Sequence, residues 1–136
     1  MSTSSQTPTL DQIAATGNAP DLKSGERPVD NRIVCADGFT LSVIAGAGYY
    51  STPRPALLSG LPDGLVSNAP RDYPGPYTSV EVGFPSARPE PWAAWAERAE
   101  DDGDPTGTVY GYVPVQMVRE LILSHGGESS PEGGAR

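Results

Sequence analysis

The chain of 136 residues carries 17 acidic residues against 9 basic ones, a formal charge of -8, and 37% of its residues are hydrophobic. With 16 glycines and 15 prolines interrupting it, it can support one modest core with unstructured ends rather than several domains. One cysteine, Cys35, and one histidine, His125, exclude an intramolecular disulfide framework and a Cys/His zinc site. The acid excess argues against direct binding to nucleic acid or to an anionic membrane surface, and no run of about 18 apolar residues is there to span a bilayer.

Residues 1–30 are Ser-, Thr-, Gly- and Pro-rich with isolated Ile13 and Leu22, too little apolar surface to offset the entropy of ordering, so the stretch reads as a disordered tail. A marginal helix over Thr9–Ala15 is the one local signal in it. Residues 1–20 hold no Lys or Arg and no apolar run of secretory length, so no signal peptide is read there and a cytoplasmic location is expected. Residues 31–127 form the expected single α+β domain, and residues 128–136 a second loose tail.

The domain opens with two largely apolar runs, 32–36 and 39–45, around Asp37-Gly38, a pattern that predicts two antiparallel strands joined by a type I′ turn. Residues 46–76 hold too many prolines and glycines for a helix or central strand and predict a long loop. Within it, 56–58 and 61–66 are apolar enough to form a small flap. Val80, Val82 and Phe84 alternate with Ser79, Glu81 and Gly83, predicting a third strand that Pro85 ends. A short helix is expected over Trp92–Ala99 and a fourth strand over Thr108–Val113. A longer helix follows from Pro114, with Val115, Val118, Leu121 and Ile122 on one face and Gly126 at its C-cap. The expected architecture is a four-stranded, mainly antiparallel sheet packed by the C-terminal helix.

No complete catalytic or metal-binding motif is present, and no catalytic residue, metal or cofactor is assigned. His125 reads as a helix C-terminal cap and Cys35 as a core residue with little thiolate. The acidic residues between Glu97 and Asp104 lack the spacing of an EF-hand loop and read as a solvated helix end. Gly46-Ala47-Gly48 lacks the remaining elements of a phosphate-binding loop. The candidate site is instead Tyr49, Tyr50 and Arg54 after the hairpin, with Arg71 and Tyr77 before the third strand and Tyr112 in the fourth. Tyrosine and arginine together supply stacking faces, hydroxyls and a forked cation. The same tyrosines can equally pack the sheet while the arginines offset nearby acids, so both readings stand at this point.

The phrases Ile33–Phe39, Tyr50–Arg54, Gly75–Tyr77, Val80–Ser86, Val109–Pro114 and His125–Gly127 resemble small accessory proteins of bacteriophage and prophage genomes. The chain departs from that pattern by an insertion over about residues 56–70 and by Ser51 at a position where Cys is expected. The resemblance implies a protein of the bacterial host cytoplasm, of a class that includes inhibitors of host defence and binders of nucleotide signals. With the residues, it gives a non-enzymatic binding module that acts stoichiometrically on a host protein or a small nucleotide-like anionic ligand through the Tyr50/Arg54/Arg71 loop. Two alternatives are an acidic mimic of nucleic acid that occupies a basic host protein and a structural or virion protein assembling through a sheet edge, with homo-oligomers among its outcomes.

Overall fold

The Asp37-Gly38 signal does turn the chain, by a different turn from the expected one. In the computed structural model, which describes residues 6–19, 27, 29–46, 49–52 and 75–129, the Gly38 N–H donates to the Cys35 carbonyl at 2.9 Å. Only Gly38 in this turn has positive φ, at 98°, whereas a type I′ turn needs two such residues. The turn is therefore a longer one closed by a single left-handed glycine. Asp37 steadies it by accepting the Phe39 N–H at 2.9 Å.

The turn joins β1 (Arg32–Val34) to β2 (Thr40–Ile44), and with β3 (Ser79–Gly83) and β4 (Val109–Pro114) these form an antiparallel sheet of order β1-β2-β3-β4. Register pairs Ile33 with Leu41, Val43 with Val82 and Val80 with Val113. All six side chains point to one face and are buried. The helix α3 (Val115–Ser124) packs on that face through Val118, Leu121 and Ile122, and α2 (Trp92–Ala96) contributes the fully buried Trp95.

One helix lies inside the span read as a tail. The segment Pro8–Thr16 forms α1, with Leu10 and Ile13 buried in the core, so the 1–30 boundary is corrected for these residues. Local propensity does not hold α1 in place. Its first turn makes no side-chain cap of its own; instead both carboxylate oxygens of Glu128 accept the N–H groups of Thr9 and Leu10, at 2.9 and 3.0 Å, placing negative charge where a helix N-terminus favours it. Arg119 of α3 binds Thr7 and pairs with Asp11. Beyond the helix, the buried Asn18 accepts the Ala45 N–H and donates to the Val43 carbonyl, both at 3.0 Å. The same contacts correct the start of the C-terminal tail. Glu128 and Ser129 are pinned, their N–H groups donating to the carbonyls of Gln6 and Val34 at 2.8 and 2.7 Å.

Both edges of the sheet meet further chain. Residues 98–100 bond along β4, where the Gly111 N–H donates to the Arg98 carbonyl at 3.1 Å and Ala99 bridges Tyr110. Cys35, just past β1, bridges Glu128. These partners cap edges that would otherwise offer free ladder groups to another chain. Gly126 and Gly127, with φ of 94° and 86°, end α3 as the sequence predicts and swing the chain toward the hairpin turn.

Candidate functional site

The site is built on the sheet face opposite α1 and α3, and an irregularity in β4 creates it. Val80 pairs with Val113 and Val82 with Tyr110, so Glu81 alone of β3 faces two residues of β4. One residue of β4 is extra, a β-bulge at Gly111-Tyr112. The bulge lets Tyr110 and Val113, three apart, both enter the core, and it turns Tyr112 outward with φ of 53° and 41% exposure. The left-handed region costs a residue with a side chain about 1–2 kcal/mol, and a bulky side chain rarely occupies it.

Beyond β2, residues 49–51 lie off the β2 line, and Thr52 bridges Ser79. This segment lays Tyr50 over the bulge. Its carbonyl accepts the Tyr112 N–H at 3.0 Å, its N–H donates to Glu81 Oε1 at 3.1 Å, and its ring lies 5.7 Å from that of Tyr112 at a 38° tilt. A side chain at Gly111 would stand 3.2 Å from the Tyr50 Cβ, so glycine lets the segment seat closely. Arg98 closes the arrangement by donating from Nη1 to the Tyr112 carbonyl at 2.9 Å.

The sequence-derived candidates therefore separate. Tyr50 and Tyr112 come together, with the half-buried Tyr49 beside them in the chain. Tyr77 does not join them. It is 5% exposed in the core cluster, its N–H donating to the Ala14 carbonyl at 2.6 Å and its ring pressed against Gly17. That assignment is corrected, because the residues just before β3 run under α1. Arg54, Arg71 and the expected flap lie outside the described residues. Tyr110 is a core residue: its hydroxyl donates to the Pro105 carbonyl at 2.5 Å and its ring meets Trp95 edge-on, and burial pushes the phenol up to about 12.

The remaining chemistry-bearing residues have structural partners. The Cys35 thiol is buried and pushed up to about 11, by burial first and then by Asp37 and Glu128, which leaves it a poor nucleophile. The His125 ring stacks on Phe39 at 4.0 Å, and its Nδ1 lies 2.7 Å from Asp37 Oδ2. Asp37 is held below the usual carboxylate range by the Phe39 N–H first and by His125 second. Among the described residues, no three His, Cys, Asp or Glu side chains converge as metal ligands, and no helix is long and apolar enough to cross a membrane.

Three features of this face escaped the sequence reading. Phe84, read as a simple strand residue, has φ of 49° and is 51% exposed. Arg32 lies across β2, and Arg98 supports the bulge. The parity of Arg32 with Thr40 and Ser42 in the hairpin register was the one readable signal among them. Comparison of the chain with family models, with curated proteins and with solved structures gives no match.

Proposed function

We propose that the chain is a non-enzymatic binding protein of the phage accessory type, acting stoichiometrically on a host factor or a nucleotide-like ligand through the outer sheet face around Tyr50 and Tyr112. The observation that carries this reading is an exposed tyrosine held at φ of 53°. Backbone strain of this kind persists only where surrounding structure enforces it, and it concentrates at functional positions. Exposed tyrosines are also the side chains that anchor interfaces and stack on planar ligands. The tyrosine pair supplies stacking area and hydroxyls rather than an anion site, since the Tyr50 N–H already serves the Glu81 carboxylate. The phage assignment rests on the sequence resemblance alone.

The test is native mass spectrometry of the protein purified from bacterial cells, comparing wild type with Tyr112→Gly. Glycine accepts positive φ without strain, so the variant removes the ring while keeping the bulge. Wild type is expected to retain a small molecule or protein partner that the variant lacks, with both melting within a few degrees of one another. The same retained species at the same occupancy in both proteins would remove the tyrosine pair from the binding face.

A further inference from the structure

Four of the arginines among the described residues fall into two kinds. Arg88 pairs with Glu90 and Arg119 with Asp11, whereas Arg32 and Arg98 contact neutral acceptors only. Arg32 is exposed on the outer face of β1, and its guanidinium spreads over β2. Nη1 donates to Ser42 Oγ at 3.0 Å and to the Phe84 carbonyl at 3.4 Å, and Nη2 donates to Thr40 Oγ1 at 2.6 Å. The nearest carboxylate in sequence, Asp30, accepts the Arg32 backbone N–H at 3.2 Å and forms no ion pair with the guanidinium. In a chain of charge -8, a guanidinium with no carboxylate partner among the described residues stands out.

The hydroxyls matter as much as the cation. Ser42 and Thr40 each use an oxygen lone pair to accept from Arg32, which leaves each O–H to donate elsewhere. Ser86 joins them: its Oγ accepts the Thr40 N–H at 2.9 Å, and its own N–H donates to the Thr40 carbonyl at 2.8 Å. These bonds occupy three of the five guanidinium N–H groups, so Nε–H and the second Nη2 hydrogen remain as charged donors, and three hydroxyls lie beside them, the donor types that an oxyanion accepts from.

We propose that Arg32, with the hydroxyls of Thr40, Ser42 and Ser86, forms an oxyanion-binding site on the outer sheet face, of the class that takes a phosphate group. The site stands on residues other than the tyrosine pair, around β1 and β2 at the opposite edge of the sheet from β4. The excess negative charge of the chain repels anions generally, so occupancy depends on these local donors.

The test is a titration of the full-length, ¹⁵N-labelled protein with inorganic phosphate, and separately with acetate, at constant ionic strength, following the backbone amides by NMR. Saturable shifts are expected at Arg32, Thr40, Ser42 and Ser86. In Arg32→Gln the affinity should fall by about tenfold or more, as for loss of charge-assisted hydrogen bonds, and Arg32→Lys should recover part of it. Phosphate binding well above acetate assigns the site to phosphate groups, and equal binding assigns it to oxyanions at large. Absent shifts at these amides, or shifts unchanged in Arg32→Gln with its spectrum otherwise preserved, would overturn the site. Tyr112→Gly should bind phosphate as wild type does, so failure here and failure of the tyrosine face are told apart.

Discussion

The two faces of the sheet obey different rules. On the helix-covered face, core side chains from β1–β4, α1, α2 and α3 interlock. On the outer face, two aromatic residues, Phe84 and Tyr112, sit at positive φ and are largely exposed, and the arginines rest on hydroxyls and carbonyls. The inner face is organised for stability. The outer one retains strain and unneutralised charge that stability alone would remove.

The contrast is sharpest when side chains are removed from each face. Trp95→Ala empties the largest fully buried site and should cost about 3–5 kcal/mol, measured by chemical denaturation, enough to leave the protein largely unfolded at moderate temperature. Ile13→Ala should cost about 2–5 kcal/mol; a loss near zero would show that α1 does not belong to the core. Glu128→Gln keeps the shape but removes the charge that caps α1. It should cost about 1 kcal/mol, given partial exposure, with amide exchange at Thr9 and Leu10 accelerating ahead of that in the sheet.

Smaller effects belong to the periphery. Asp37 has its folded pKa lowered, so its contribution is present above the unfolded carboxyl value and is lost as pH falls through the folded one. Wild type should therefore lose slightly more stability on acidification than Asp37→Asn does, read as the difference between two pH series. On the outer face, Phe84→Gly and Tyr112→Gly should leave stability within about 1 kcal/mol of wild type, because release of left-handed strain offsets lost contacts. Large losses in both would erase the distinction between the faces.

What the sequence made legible follows the same division. The hairpin, β3 and α3 announce themselves because their apolar residues repeat with the period of the element, and burial enforces that period. The α+β class and the four antiparallel strands follow from it. Helix α1 showed only as a marginal local signal over Thr9–Ala15, because only Leu10 and Ile13 carry its apolar pattern and its capping carboxylate comes from the distant Glu128. The bulge was hidden because Tyr110 and Val113 share a face while three residues apart, which breaks the alternation used to find strands. Clustering of tyrosines in the chain did bring Tyr50 and Tyr112 to notice. It misplaced Tyr77, since neighbourhood along the chain says nothing about which side of the sheet a segment passes.

The hydrogen bond from the Glu128 N–H to the Gln6 carbonyl has a consequence for how the fold is encoded. Residues separated by nearly the full chain touch, so the order in which the elements are strung together is partly arbitrary. Joining residue 129 to residue 6 through a short linker closes a ring at little entropic cost, and opening that ring between β3 and α2 would yield a circular permutant with the same sheet order. In such a chain the capping carboxylate and its helix become near neighbours along the polypeptide, and the contact that spans 118–119 residues in the natural order becomes a local one.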